Sequence, residues 1–323
     1  MIIGAGNWIV DRIKVIDVYP EQDALANILR ESRSNGGCAY NVLKALSKIG
    51  YVGGLAAVGL VGDDQDGLRI LEDCRKLGID ASRLHTSPDL ATSYTEVMMV
   101  EGTSRRTFFH HRGANASFHF HGRGSGTAHV HLGYLLLLDR MDEVDPAFGT
   151  AAARTLKEVK SGGGTTSIDV VSEDSSRFTK IVRPALKYAD VAFMNEFELG
   201  RTLEKPISST DELIAAGRSL STECANLLVV HTPEAGLAFG NGELVARQGS
   251  VKLPASQIQG TVGAGDAFAA GFLSGFMDGF EPSECLRFAA CVAASSLLEA
   301  DASSGILPWK DCLQLAEAFG FRD

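Results

Sequence analysis

Asp266 stands directly behind Gly263-Ala264-Gly265 in the run QGTVGAGDAFAAGFLSGF, residues 259–276, where a glycine-rich loop gives way to a helical pattern. Such a turn aims several backbone N–H groups, and the positive end of the helix dipole, at one point, which suits an anion. A carboxylate there would repel an approaching phosphate unless it has a task of its own; the alternative is an acid that only offsets the helix dipole. Phosphoryl transfer supplies such a role, because amides steady the transferring group while an acid nearby takes the proton of the attacking hydroxyl. Asp266 is therefore the candidate base, and the amides of Gly263, Ala264 and Gly265 form the candidate anion hole. No Gly-Lys-Ser/Thr follows, so the loop is not a P-loop of the Walker type.

Other residues offer matching chemistry. Asn195 and Glu198, three apart in NEFE, share a face of a helical turn, where an amide and a carboxylate can hold magnesium-bound water near phosphate. Asp11 follows a strand and a turn, where a carboxylate can grip paired hydroxyls. Asn41, behind the glycine turn Gly36-Gly37, offers a hydroxyl both donor and acceptor. The same pattern leaves the capping of the following helix to Asn35. Asp139, just past LGYLLLL, stands at a strand end that can reach a cleft.

The elements that must position these groups alternate between strand and helix. MIIGAGNWIVDRIKVI reads as strand, turn, strand; VLKALSKI as a helix stopped by Gly50; VGGLAAVGLVG as a buried strand; DGLRILEDCRKLGI as a helix. From residue 128 strands are expected at AHVHLGYLLLL, TTSIDVV, VAFMN and NLLVVH, with helices between them and three more after residue 263. Repeated β–α units imply an α/β fold with a mostly parallel sheet covered on both faces. Its ligands bind beyond the carboxyl ends of the strands. Segments 12–34 and 90–112, the latter with TSYTEVMMVEGTSRRTFFHH, break the pattern and read together as a small β lid.

TVGAGDAFAAGF resembles the C-terminal signature of the ribokinase (pfkB) family of carbohydrate and nucleoside kinases. NGGCAYNVLKALSKIG resembles its N-terminal GGxxxN signature, and NEFE its NxxE element. The resemblance covers nearly the whole chain. It implies one ribokinase-like α/β/α domain over residues 1–323 that phosphorylates a hydroxymethyl group of a sugar or sugar derivative with ATP and Mg²⁺. Asp266 then serves as base, Asp11, Gly37, Asn41 and Asp139 hold substrate, and Asn195, Glu198, Thr232 and Gly236 hold the nucleotide. Glu198 would meet magnesium through water. Alternatives on the same scaffold are a nucleoside kinase and a catalytically silent sugar-binding regulator. Two departures stand out: Pro233 in VVHTPEAG replaces a usual glycine, and Gly260 replaces the usual Asp or Asn, which puts monovalent-cation activation in doubt.

The formal charge of −10 argues against nucleic acid as partner, and no apolar run is long enough to span a membrane. Six scattered cysteines without a CxxC pair suggest free thiols and a cytoplasmic location. The exposed β edge of the lid suggests a homodimer. GAGNWI lacks the third glycine of a dinucleotide fingerprint. His129 and His131 alternate along one strand, but no cysteine or clear acidic partner joins them to complete a metal set, so a solvated or partly buried polar edge is expected.

Overall fold

The computed structural model describes residues 1–103 and 105–323; Ser104, within the second lid segment, lies outside them. A nine-stranded sheet runs in the order Glu243–Gly249, Ala235–Gly240, Leu227–His231, Val191–Asn195, Thr165–Val170, His129–Leu135, Ile2–Gly6, Leu55–Gly62 and Asp80–Ser87. The seven strands from Leu227–His231 to Asp80–Ser87 pair in parallel, and the first two add an antiparallel edge. Central strands such as VAFMN and LLVVH are almost wholly buried, as strands covered on both faces must be.

One face packs Val42, Leu43 and Leu46 of the helix Cys38–Ile49 with Phe272 of the helix Ala264–Met277 and Phe193 of the sheet. The other packs Leu156, Phe178 and Val182 over Leu132, Ile168 and Leu228. Burial of this apolar area, about 25 cal/mol per Å², is the main force holding the layers together. Among the described residues no helix is long and apolar enough to cross a membrane.

The edge strand Asp80–Ser87 was not legible in the sequence. Of DASRLHTS only Leu84 is buried, so no apolar pattern marks it. The lid is a four-stranded sheet ordered Ile28–Gly36, Ile9–Ile16, Ser93–Val100 and Arg106–His111. Its central pair is parallel and its outer pairs antiparallel. It begins at Ile9, earlier than expected, so Asp11 belongs to a lid strand.

Candidate active site

Asp266 lies in the first turn of the helix Ala264–Met277 and is 4% exposed. Its Oδ2 accepts from Asn41 Nδ2 at 2.7 Å and from the Tyr134 hydroxyl at 2.6 Å. Its Oδ1 is buried and has no hydrogen-bond partner among the described residues. Burial pushes the carboxyl up to about 6, against the two donors, which lower it. One carboxylate oxygen is thus held and the other free.

The loop in front has the backbone its sequence requires. Gly263 adopts φ 72°, and a Cβ there would lie 2.7 Å from the Ala302 carbonyl oxygen. The N–H groups of Gly263 and Gly265 make no hydrogen bond among the described residues, whereas that of Ala264 turns back to Thr261 at 3.4 Å. Gly37 likewise needs its φ of 88°, and a Cβ there would meet the Asn7 carbonyl oxygen. The Asp11 carboxylate lies on Gly36, where a Cβ would make it shift.

Around Asp266 gather Asp11, Asp169 and Glu198, all buried. Burial and the charge of Asp266 raise Asp11 to about 7, despite a lowering bond from Thr95. Burial, then the charges of Asp266 and Glu198, hold Asp169 well above the carboxylate range. Burial raises Glu198 to about 7, with Ser172 and the Asn195 amide pulling the other way. Among the described residues no Lys or Arg forms an ion pair with any of the four. Of the four, Glu198 and Asp169 offer hard oxygen donors of the kind a divalent cation such as magnesium takes.

Asn195 and Glu198 also form a capping box for their helix: Asn195 Oδ1 accepts from Glu198 N at 2.9 Å, and Glu198 Oε2 from Asn195 N at 2.8 Å. Ser172 Oγ donates to Glu198 Oε1 at 2.7 Å. Each carboxylate oxygen keeps a second lone pair for a water. Thr232 ties its own turn, its hydroxyl oxygen accepting from Glu234 N and Ala235 N. Gly236 makes room for the Phe268 ring.

Asp139 is not brought into this group. Half exposed, it pairs with Arg112 at 2.6 Å. Asn35 is not a helix cap; Gly37 holds that position and no side chain caps the helix. The histidine reading also needs correction. His129 and His131 are fully buried under the helices, joined through Ser167 Oγ, and Cys38 Sγ lies 2.9 Å from His131 Nε2. Cys38, His131 and Asp169 place one ligand-type atom each within 4.8 Å of one another. The missing partners came from a helix start and a neighbouring strand, remote in sequence.

Sequence reasoning also missed Tyr134, Asp169 and His231. Tyr134 carried no signal inside an apolar run. Asp169 had one, an acid near the carboxyl end of a buried strand. His231 pairs in register with Asn195 and Gly236, and its ring lies 3.1 Å from where a Cβ on Gly265 would be.

The family model of the pfkB carbohydrate kinases matches residues 7–310. The chain belongs to that family. It is therefore a kinase of the ribokinase fold, acting on a sugar or nucleoside. The pfkB chain is 29% identical over 308 residues to an ATP-dependent ribose-1-phosphate kinase of Halopiger xanaduensis, covering 91% of each. It is 24% identical over 300 residues to a nucleoside kinase of Methanothermobacter thermautotrophicus, covering 91% of this chain and 88% of that one. Its fold matches that of Arabidopsis thaliana ribokinase, solved with ribose and ATP, with a TM-score of 0.76 at 21% identity over 97% of each chain.

Proposed function

We propose that the protein transfers the γ-phosphate of ATP to a hydroxymethyl group of a sugar or sugar derivative, with Asp266 as base. One observation carries this reading: among the described residues, a buried carboxylate oxygen without a partner beside the N–H groups of Gly263 and Gly265 without acceptors. A structural acid would have used both oxygens. The acceptor O–H gives its proton to Asp266 Oδ1 as its oxygen forms a bond to the γ-phosphorus. The bond from that phosphorus to the departing ADP oxygen breaks, and the electron pair leaves with ADP. The amides of Gly263, Ala264 and Gly265 stabilise the charge spread over the transferring oxygens.

Asn195, Glu198, Thr232 and Gly236 would line the nucleotide side, and Glu198 would hold magnesium through water. When bound, magnesium neutralises the phosphate charge. Asp11, Gly37 and Asn41 form the substrate side, and the lid excludes water. Asp139, held by Arg112, supports that side from its rim. The whole chain acts as one kinase domain, and exposed Val18, Tyr19, Ile28, Phe108 and Phe109 on the lid fit pairing with a second copy.

The test is ADP formation with sugars, sugar acids, sugar phosphates and nucleosides, alongside Asp266→Asn. Turnover on sugars that falls ~10²–10⁴-fold in the variant, with ATP still bound, supports the reading. Turnover on nucleosides alone replaces it with a nucleoside kinase. Binding of one sugar without any turnover replaces it with a regulator.

A further inference from the structure

Asn35 is the last polar residue of the lid strand Ile28–Gly36, and it is buried. Ser303 Oγ donates to Asn35 Oδ1 at 2.7 Å, and Asn35 Nδ2 donates to Asn41 Oδ1 at 2.6 Å. Asn41 Nδ2 then donates to Asp266 Oδ2 at 2.7 Å. Every donor in this chain points toward Asp266. The far end is anchored: Asp301 Oδ1 accepts from Ser303 N at 2.9 Å, and Lys48 Nζ donates to the Ser303 carbonyl at 2.7 Å.

The direction of the chain matters chemically. An asparagine amide offers N–H on one side and oxygen on the other. Asn41 can keep its N–H on Asp266 only while its own buried oxygen has a donor, and Asn35 is that donor. Turned over, Asn41 would face Asp266 with oxygen, a geometry that demands a protonated base. An unmet buried acceptor is costly enough to decide between the two orientations.

We propose that Asn35 is a positioning residue for phosphoryl transfer. It holds the Asn41 amide in the orientation that keeps Asp266 ionised, and so ties the base to the lid strand. This rests on the reading of Asp266 as base. The groups facing Asp266 make the tie consequential. Asp11 comes from the lid strand Ile9–Ile16, Cys38 from the helix Cys38–Ile49, and Tyr134 from the strand His129–Leu135. Asp169 comes from Thr165–Val170, and Glu198 from the helix Glu196–Thr202. All carry negative charge or none, so hydrogen bonds from Asn41 and Tyr134 are what favour the ionised form.

The experiment is the pH profile of kcat, with ATP affinity and circular dichroism, for the intact protein, Asn35→Ala, Asn35→Asp, Ser303→Ala and Asp266→Asn. Asn35→Ala should move the acidic limb up by ~1 pH unit, a ~5-fold loss at pH 6 that recovers at high pH, with ATP affinity unchanged. Asn35→Asp should lose more, because a carboxylate there draws the Asn41 N–H away from Asp266. A packing role predicts the reverse ranking, since Asp has nearly the shape of Asn. Should Asn35→Ala not fold, Ser303→Ala carries the same test with a smaller shift. An unshifted limb in the folded variants, or an Asp variant more active than the Ala variant, overturns the proposal. Full turnover in Asp266→Asn removes the base reading and this one together. Loss in Asp266→Asn with unshifted Asn35 variants removes the Asn35 role alone.

Discussion

The Tyr134 hydroxyl donates to Asp266 Oδ2 at 2.6 Å, on the oxygen that Asn41 already holds, and leaves Oδ1 untouched. Tyr134 enters from the carboxyl end of the strand His129–Leu135, and Asp266 from the start of a helix 132 residues later in the chain. The pairing orients the carboxylate without blocking it. Tyr134→Phe removes one of two bonds that favour the charged form. The acidic limb of kcat should then move to higher pH by ~1 unit, with a loss of roughly 5-fold at pH 6 and little change at pH 9. A kcat series over that range checks it, and an unmoved limb would show that the hydroxyl does not control the base.

The raised carboxyls also make a statement about stability. Asp266 sits near 6 in the folded protein, against an ordinary value of 3.8 for an aspartate. The folded state therefore holds its proton over a range where the unfolded state has lost it. Its contribution to stability is present below about pH 4 and is lost as pH rises through about 6. Asp266→Asn removes the buried charge. It should raise Tm by a few degrees, roughly 2–6 °C, at pH 8, and by little at pH 4. Calorimetry at the two pH values measures this, and a lower Tm at pH 8 would contradict it.

Gly263→Ala tests the anion hole. The added methyl meets Ala302 and a φ of 72° that alanine resists. Turnover should fall ~10²–10³-fold, with sugar affinity nearly unchanged. Near-normal turnover in a folded variant would remove the loop from the chemistry.

The lid meets the loop before Gly263 through Arg106, whose Nη2 donates to Thr261 Oγ1 at 2.6 Å. Arg106 has no acidic partner among the described residues. Substrate should protect residues 90–112 from limited proteolysis, and Arg106→Ala should weaken that protection. Equal cleavage with and without substrate would count against closure of the lid.

Gly260 bears on cation dependence. A Cβ there would lie 2.8 Å from the Ala300 carbonyl oxygen, so the two loops pack directly and leave no room for a carboxylate side chain. Exchanging potassium for sodium or a bulky organic cation at constant ionic strength should change kcat by less than about twofold. A large saturable rise with potassium alone would show that backbone carbonyls suffice.

The sequence alone determined the strand–helix alternation, the lid and the identity of Asp266, Gly263, Asn41 and Glu198 as candidates. These features are local: apolar periodicity, glycine turns and short spacings are written within a few residues of each other. Only the tertiary structure decided who holds Asp266. Tyr134 and Asn41 come from different elements, and nothing in LGYLLLL marks its tyrosine as a donor to a residue so far along the chain. The same holds for Asn35, which looked like a helix cap and instead bonds Asn41 and Ser303. It holds also for Cys38 and Asp169, which complete a buried group with His131. Asp139 shows the other side of this: its place at a strand end was legible, but its exposure and its bond to Arg112 were not. Hydrogen-bond partners remote in sequence are fixed by strand order and helix packing, and those follow from burying the whole apolar surface at once.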